Sequence, residues 1–429
     1  MPDLSKLTLP AILRNKSPYL PAELVLPSYE GLGISSIPSS ISRWLGGPVL
    51  SAPGLASEVL AQFAERYQRV VLVVIDALGL QYLQSRLSDG KTGWLGRNPE
   101  AWKLFALTSV IPSTTSSALT SYWTGTQPIE HGIIGYEMWV KELSMTINTI
   151  LHMPTSFVGD LGGLSRAGFD PVSFLGQVSV ADRLAERGIE THAFLPYGIL
   201  GSGLSRMHLG KSRQHGYITE SDMWFNLAQT LNSRPAGPKY AYVYWSTVDS
   251  LLHRYGPDEP RVNDQLGVFF DSMERNLLHG LESWARDDTL ILFTADHGGI
   301  YTPVDPKYDL ANHPGLVAHL RVLPTCESRL PFLYLKPGSE AAVREYFHDA
   351  WPGEFTLITR EQSLEMALFG TGPRMPGVEE RIGDLIAVPN GQAYLWWPAK
   401  ANVMLGRHGG LAAEEMLVPF IGMDLGWGR

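Results

Sequence analysis

The feature that most constrains the fold is an unbroken apolar run that ends abruptly at an aspartate. Residues 70–75 are all aliphatic, and Asp76 follows them directly. A run of this kind is typical of a strand buried on both faces, which requires a parallel sheet covered by helices on each side. The run is far shorter than the roughly 20 apolar residues of a membrane-spanning helix. It therefore predicts a buried strand in an α/β protein.

The same pattern recurs further along the chain. Strand-like runs occupy residues 104–111, 240–245 and 290–293, and helical patterns between them include residues 180–187 and 259–284. Strands that alternate with helices predict an α/β sheet. The last two runs are followed within a few residues by Asp249 and Asp296. Because ligands of such sheets bind at the carboxyl ends of the strands, these aspartates are the first indication of a functional site.

Composition and length favour a large folded core. Hydrophobic residues make up 44% of the 429 residues and charged residues 18%, which excludes a disordered chain. We predict three parts: an N-terminal arm (1–55) that wraps the core, a catalytic α/β metal-binding core (56–299 and 396–429), and an inserted cap subdomain (300–395). The cap is expected to hold a strand at residues 332–335 and two helices.

Charge and cysteine content limit the partners. The 34 basic and 43 acidic residues give a net charge of −9, which argues against a nucleic-acid polymer as partner. A phosphate substrate stays compatible with this charge, because bound cations invert the local sign of a site. The single cysteine, Cys326, excludes an internal disulfide, and the first residues do not resemble a signal peptide. We therefore expect a cytoplasmic protein without membrane attachment.

Six carboxylate and imidazole side chains are candidate metal ligands. They are Asp76, Asp249, His253, Asp296, His297 and His408. Asp249 and His253 are four residues apart, so a helix places them on one face. Each residue alone is commonly a helix cap, a turn former or part of a solvated helix face. Their joint occurrence after apolar strands, with oxygen and nitrogen donors only, favours a site for Zn²⁺ or Mn²⁺.

A candidate nucleophile follows the second predicted strand. Residues 113–117 all carry hydroxyl groups, and they precede a helical pattern. A hydroxyl at the first turn of a helix gains from the amide N–H groups there, and a coordinated metal lowers its pKa. The same cluster is also suited to capping the helix. Composition alone does not choose among the five hydroxyls.

The order of these motifs resembles the alkaline phosphatase superfamily. The closest match is to the type I phosphodiesterase/nucleotide pyrophosphatase family, and the resemblance covers about residues 70 to 421. It rests on the six acidic and imidazole residues, on the hydroxyl cluster, and on the segment 124–132 with its Thr-Gly and His-Gly pairs. The resemblance implies a three-layer fold with a central, mostly parallel sheet and a smaller cap subdomain.

The resemblance also assigns roles to residues. One metal ion would be held by Asp249, His253 and His408, and the other by Asp76, Asp296 and His297 together with the nucleophile. The family places its threonine nucleophile nine residues before the threonine of the Thr-Gly pair, and counting back from Thr124 gives Thr115. Nucleotide pyrophosphatases carry an asparagine shortly after the His-Gly pair, where this chain has Tyr136. Its phenol can donate one hydrogen bond to a phosphate oxygen, so Tyr136 joins Thr115 as a catalytic candidate.

The leading prediction is a two-metal hydrolase. It would cleave phosphodiester or pyrophosphate bonds of a small phosphorylated substrate, such as a nucleotide, through a phosphothreonine intermediate on Thr115. The expected cofactors are two divalent ions, Zn²⁺ or alternatively Mn²⁺. The alternatives are a phosphonate or phosphomonoester hydrolase on the same scaffold, and a non-catalytic binding protein stabilised by metal.

Overall fold

The computed structural model describes residues 3–156, 162–234 and 237–426. Its strands are β1 (Arg69–Ile75), β2 (Lys103–Thr108), β3 (Glu137–Val140), β4 (Met145–Asn148), β5 (Met153–Pro154), β6 (Glu190–Pro196), β7 (Arg213–Tyr217), β8 (Lys239–Trp245), β9 (Thr289–Thr294), β10 (Ile300–Tyr301), β11 (Thr325–Glu327), β12 (Leu330–Leu333), β13 (Phe355–Thr359), β14 (Leu385–Pro389), β15 (Gly406–Arg407) and β16 (Leu417–Asp424).

The α-helices surround these strands. They are α1 (Ser5–Arg14), α2 (Ile37–Leu45), α3 (Ser57–Leu60), α4 (Leu80–Ser88), α5 (Trp94–Arg97), α6 (Thr115–Thr124), α7 (Pro128–His131), α8 (Gly163–Arg166), α9 (Pro171–Leu175), α10 (Val180–Ala185), α11 (Gly203–His208), α12 (Glu220–Asn232), α13 (Thr247–Tyr255), α14 (Pro260–Met273), α15 (Ser283–Arg286), α16 (Pro314–Val317), α17 (Glu340–Ala350), α18 (Arg360–Glu365) and α19 (Ala413–Met416). Together with the strands they confirm the predicted α/β class.

A large seven-stranded sheet forms the centre of the molecule. Its order is β2-β16-β9-β1-β8-β6-β7, and all neighbours are parallel except β16, which runs antiparallel to β2 and β9. Every residue of β1, β8 and β9 is buried. The continuous apolar runs of the sequence are therefore explained by burial on both faces of these central strands.

Two predicted elements differ from the structure in length. The strand predicted at residues 104–111 ends at Thr108, because its partner β16 begins at Leu417, directly opposite Thr108. The helical pattern predicted over residues 259–284 is divided into α14, a π-helical stretch (Glu274–Leu278) and the short α15. Gly280 lies between the last two segments, where a glycine weakens a helix.

A second sheet of seven antiparallel strands lies outside the large one. Its order is β13-β14-β12-β11-β3-β4-β5, so strands from residues 137–154 pair with strands from residues 325–389. The first of these ranges lies within the predicted core and the second within the predicted cap. The proposed division into core and cap therefore stays a prediction, and the sheet itself joins the two segments through the pairing of Cys326 with Glu137.

The N-terminal segment packs against the large sheet. The amide of Leu4 donates to Leu104, that of Thr108 to Leu32, and that of Val25 to Leu411. The arm is therefore anchored at both ends of β2 and at the loop that follows His408. Within the described residues, no helix combines the length and the apolar character needed to cross a membrane.

Candidate metal centre

The candidate ligands converge at one edge of the large sheet. Asp76 directly follows β1, Asp296 lies two residues after β9, and Asp249 lies in the first turn of α13, which begins after β8. These three strands are neighbours in the order β9-β1-β8 and are parallel. Their carboxyl ends therefore meet, and the three carboxylates are brought together as the sequence predicted.

The first ligand set consists of Asp76, Asp296 and His297, all of them buried. Nε2 of His297 lies 3.4 Å from Oδ1 of Asp76 and 3.6 Å from Oδ2 of Asp296. The other oxygen of each carboxylate is already engaged: the Tyr244 hydroxyl donates to Oδ2 of Asp76, and the amides of Ala77 and His297 donate to Oδ1 of Asp296 at 3.2 and 3.0 Å. Among the described residues, Asp76 Oδ1 and Asp296 Oδ2 have no hydrogen-bond donor.

The second ligand set consists of Asp249, His253 and His408. Oδ1 of Asp249 lies 3.2 Å from Nε2 of His253 and 3.7 Å from Nε2 of His408. This oxygen, too, is buried and lacks a hydrogen bond within the described part of the chain. Helix α13 and the loop that holds His408 together supply this ligand set. They are distant in sequence: Nδ1 of His253 contacts the carbonyl of Gly406, 153 residues further along the chain.

The three histidines present the same ring nitrogen to the carboxylates. Nδ1 of His297, His253 and His408 lies 2.8, 2.9 and 3.1 Å from the carbonyl oxygens of Gly298, Gly406 and Ser113, respectively. A carbonyl only accepts, so each Nδ1 carries a proton, and in the neutral ring Nε2 then offers its lone pair. A lone pair that faces a carboxylate oxygen is repulsive unless a cation lies between them. This orientation is the one found in metal-ligating histidines.

The spacing of the free atoms fits divalent cations. Ligands about 2.1 Å from a tetrahedral metal lie about 3.4 Å from one another. The four distances between carboxylate oxygens and imidazole nitrogens are 3.2 to 3.7 Å. The donor atoms are oxygen and nitrogen without sulfur, as the sequence predicted. Each set is therefore suited to hold one ion.

The two sets influence one another electrostatically. Burial, followed by the nearby carboxylates of Asp296 and Asp249, raises the pKa of Asp76 well above its usual value. Burial and the neighbouring His297 and His253 hold the pKa of His408 well below its usual value, so its imidazole is neutral near pH 7. The rings of His297 and His408 are stacked with their centroids 3.7 Å apart. The two sets thus form one continuous polar centre.

Thr115 is the hydroxyl residue of segment 113–117 that faces this centre. Its Oγ1 lies 3.2 Å from Nε2 of His297. The other four hydroxyls donate elsewhere: Ser113 to the Gly410 carbonyl, Thr114 to Glu327, Ser116 to the Gly135 carbonyl and Ser117 to the Ile133 carbonyl. The interpretation of this cluster as helix caps is wrong, because Thr114 at the N-cap position makes no side-chain capping hydrogen bond and the Ser113 and Ser116 hydroxyls donate to loop carbonyls instead.

The start of α6 adds hydrogen-bond donors beside the hydroxyl. The amide of Ala118 donates to the Thr114 carbonyl, whereas no acceptor within the described residues takes the amides of Thr115, Ser116 and Ser117. Free amides at the first turn of a helix attract anions, since the helix dipole adds to their partial charge. The helix start can therefore contribute to holding a phosphoryl group next to Thr115.

The structure adds residues that the sequence analysis did not identify. Tyr244 orients Asp76 through a hydrogen bond from its hydroxyl to the carboxylate. The sequence feature that could have identified it is the alternation of Tyr240, Tyr242 and Tyr244 along a fully buried strand. Glu415 accepts from the Gly410 amide at 2.9 Å, and its own carbonyl accepts from Gly298 at 2.8 Å. It thereby joins the loops of His408 and His297. No periodic pattern marks Glu415.

Tyr136 lies directly before β3, and it is partly buried. Burial raises the pKa of its phenol, which interacts with the Asn148 side chain and lies near the carboxyl group of Glu327. Because Glu327 binds the hydroxyl of Thr114, Tyr136 belongs to the surroundings of the α6 start. A contact between Tyr136 and a phosphate stays a prediction.

Comparisons with known proteins agree with this geometry. A family model described as type I phosphodiesterase/nucleotide pyrophosphatase matches residues 70–411. No curated protein matches the chain by sequence.

Several solved structures share the fold. Murine ectonucleotide pyrophosphatase/phosphodiesterase 5 superposes with a TM-score of 0.58 and 16% identity, covering 82% of this chain and 87% of the other. The same murine protein in an inactive form bound to AMP gives a TM-score of 0.57, 16% identity and the same coverage. Phosphonoacetate hydrolase from Sinorhizobium meliloti, in complex with phosphonoacetate, gives a TM-score of 0.57 and 18% identity, covering 82% of this chain and 89% of the other. These similarities confirm the predicted fold class.

Proposed function

Because the chain belongs to the type I phosphodiesterase/nucleotide pyrophosphatase family, we propose that it is a two-metal hydrolase with Thr115 as nucleophile. Its substrate would be a small phosphorylated molecule with a phosphodiester or pyrophosphate bond. The family consists of metal-dependent hydrolases, so a purely binding role is set aside. The number of ions and the threonine intermediate are the parts that we propose.

One observation carries the proposal. Within the described residues, three buried carboxylate oxygens lack a hydrogen-bond partner, three imidazole nitrogens lie beside them, and one of these nitrogens, Nε2 of His297, lies 3.2 Å from the Thr115 hydroxyl at the start of α6. We assign one ion to Asp249, His253 and His408, and the other to Asp76, Asp296, His297 and Thr115. Zn²⁺ suits this donor set, with Mn²⁺ as the alternative. When bound, such ions lower the pKa of a coordinated hydroxyl and stabilise charge on phosphoryl oxygens.

The other steps of the proposed reaction depend on residues of the chain itself. Oγ1 of Thr115 forms a bond to phosphorus while its proton passes to solvent, and the leaving group departs with the electrons of the broken P–O bond and takes up a proton from water. The free amides of α6 donate to the oxygens of the phosphoryl group as negative charge develops. Water then attacks phosphorus, releasing the phosphorylated product and returning the hydroxyl to Thr115. Tyr244 keeps Asp76 oriented throughout.

Phosphonate or phosphomonoester hydrolysis is the alternative activity on the same scaffold. Two observations support keeping it: one similar structure is a phosphonoacetate hydrolase, and Tyr136 stands where nucleotide pyrophosphatases carry asparagine. The similar proteins were solved with AMP or phosphonoacetate, which supports a small-molecule substrate here. A cytoplasmic location is also part of the proposal, in keeping with one buried, unpaired cysteine.

A substrate panel tests the proposed function. The protein would be reconstituted with Zn²⁺ or Mn²⁺ and assayed with a chromogenic phosphodiester, a phosphomonoester, a pyrophosphate and a phosphonate. We expect turnover of the diester or pyrophosphate, and two bound ions per chain by elemental analysis. Stoichiometric metal without turnover of any substrate would contradict the proposal.

Replacing Tyr136 by phenylalanine is expected to change substrate preference more than stability. If the phenol donates to a phosphate oxygen, its loss costs on the order of 1–3 kcal/mol in transition-state binding. The measurement is kcat/KM of parent and variant across the panel, with thermal unfolding as the check on stability. Equal rates on every active substrate would show that the phenol does not contact the phosphate.

A further inference from the structure

Glu327 lies beside the nucleophile but has no part in the proposed chemistry. It is the last residue of β11, and its Oε1 lies 2.5 Å from Oγ1 of Thr114, the residue before Thr115. A Cβ atom on Gly409 would lie only 2.5 Å from Cβ of Glu327. The carboxyl group is therefore positioned between the loop that carries the nucleophile and the loop that carries His408.

The backbone before Glu327 has an unusual conformation that favours this placement. Cys326 is buried and has a φ of 75°, in the left-handed region that non-glycine residues rarely adopt. Gly135 packs so closely that a Cβ atom there would lie 2.8 Å from Cα of Cys326. Backbone strain of this kind persists where the surrounding structure enforces it, and it occurs often at functional sites.

Within the described ranges, Glu327 differs from its acidic neighbours in having no cationic or indole partner. Glu415 forms a bidentate ion pair with Arg329, and Glu137 accepts from the Trp397 indole at 2.8 Å. For Glu327, the described residues supply only the Thr114 hydroxyl. Burial, together with the carboxylates of Glu137 and Asp249, raises the pKa of Glu327 to about 8. No cationic side chain in the described part of the chain is paired with its negative charge once that charge forms.

We propose that Glu327 sets the charge preference of the site, favouring singly charged phosphoryl groups over doubly charged ones. The inference rests on the proposed function and names its substrate class as phosphodiesters. A diester carries one negative charge, whereas an ionised monoester carries two. Since Thr114 and Thr115 are adjacent, the Glu327 carboxylate lies within about 10 Å of a group bound at Thr115. At that distance in a partly buried site, one extra charge weakens binding on the order of tenfold.

Binding to a catalytically silent protein tests the inference. In a metal-loaded Thr115→Ala background, calorimetry at pH 9 would compare phenyl phosphate, a dianion, with methyl phenyl phosphate, a monoanion. Glu327 is ionised at this pH, because its pKa is about 8. Glu327→Gln keeps an oxygen that accepts from Thr114 but removes the charge. We expect both anions to bind more tightly, and dianion binding to tighten about tenfold more than monoanion binding.

Glu137→Gln is the matched control, since this carboxyl group is also partly buried but bonds Trp397. It should leave the ratio of dianion affinity to monoanion affinity unchanged. In the protein that retains Thr115, Glu327→Gln should raise kcat/KM for the monoester relative to that for the diester. If Glu327→Gln shifts both ligands equally, or neither, the inference is overturned while the proposed function stands. If the metal-loaded protein binds neither anion, the proposed function fails, and the inference with it.

Discussion

Replacing Thr115 by alanine is expected to lower kcat by about three orders of magnitude or more, the scale on which a catalytic unit loses a member. The hydroxyl lies 3.2 Å from Nε2 of His297, within the first ligand set, and no neighbouring hydroxyl faces that set. The measurement is turnover of a chromogenic diester by the metal-reconstituted protein. Fold and metal content should be nearly unchanged, because Thr115 contributes only one of the proposed ligands.

Two variants serve as controls for this result. Thr115→Ser should keep partial activity, since the hydroxyl remains while the methyl group that restricts its rotamer is lost. Ser116→Ala removes a hydroxyl that donates to the Gly135 carbonyl at 2.9 Å, so its effect should be limited to about 1 kcal/mol of stability. An inactive Thr114→Ala protein alongside a fully active Thr115→Ala protein would show that the nucleophile is misassigned by one residue.

Replacing His408 by alanine is expected to remove the ion held with Asp249 and His253. The remaining two ligands come from one turn of α13 and do not close a tetrahedral site. The loss of affinity should exceed the roughly 100-fold that follows removal of an outer-shell partner. Titration of the metal-free protein with Zn²⁺ by calorimetry, with elemental analysis after dialysis, measures the number and affinity of the remaining sites.

The fold should survive this change, because the His408 loop has other supports. The Gly410 amide donates to Glu415 at 2.9 Å and the Ser113 hydroxyl donates to the Gly410 carbonyl at 2.7 Å. His319→Ala is a matched control, since His319 lies outside both ligand sets and contacts Ser339. A His408→Ala protein that keeps full occupancy of two ions would refute the assignment of this ligand.

The strands and the edge that carries the site could be predicted from the sequence. Apolar runs at residues 70–75, 240–245 and 290–293 correspond to β1, β8 and β9, because a strand buried on both faces tolerates few polar residues. Asp76 and Asp296 follow such strands, so parallel topology was enough to bring them to one edge. The spacing of Asp249 and His253 likewise follows from a single helical turn.

Choosing Thr115 among five hydroxyls required either the family resemblance or the tertiary structure. Local sequence treats residues 113–117 alike, since each carries a hydroxyl near a helix start. What separates them is the partner that each one meets, and those partners are distant in sequence: Glu327 for Thr114, His297 for Thr115 and Gly410 for Ser113.

The sequence by itself determined the fold class, the aspartates that follow the central strands and the identity of the candidate ligands, because these depend on burial patterns and local geometry. Only the tertiary structure decided which atoms remain free: Tyr244 occupies one oxygen of Asp76, and backbone carbonyls occupy Nδ1 of each histidine in the two ligand sets. It also decided that Glu327 and Glu415 adjoin the site, through contacts of Glu327 with Thr114, 213 residues away, and of Glu415 with the distant Gly298. Such contacts depend on how the two sheets pack, and packing between distant segments leaves no periodic signal in the chain.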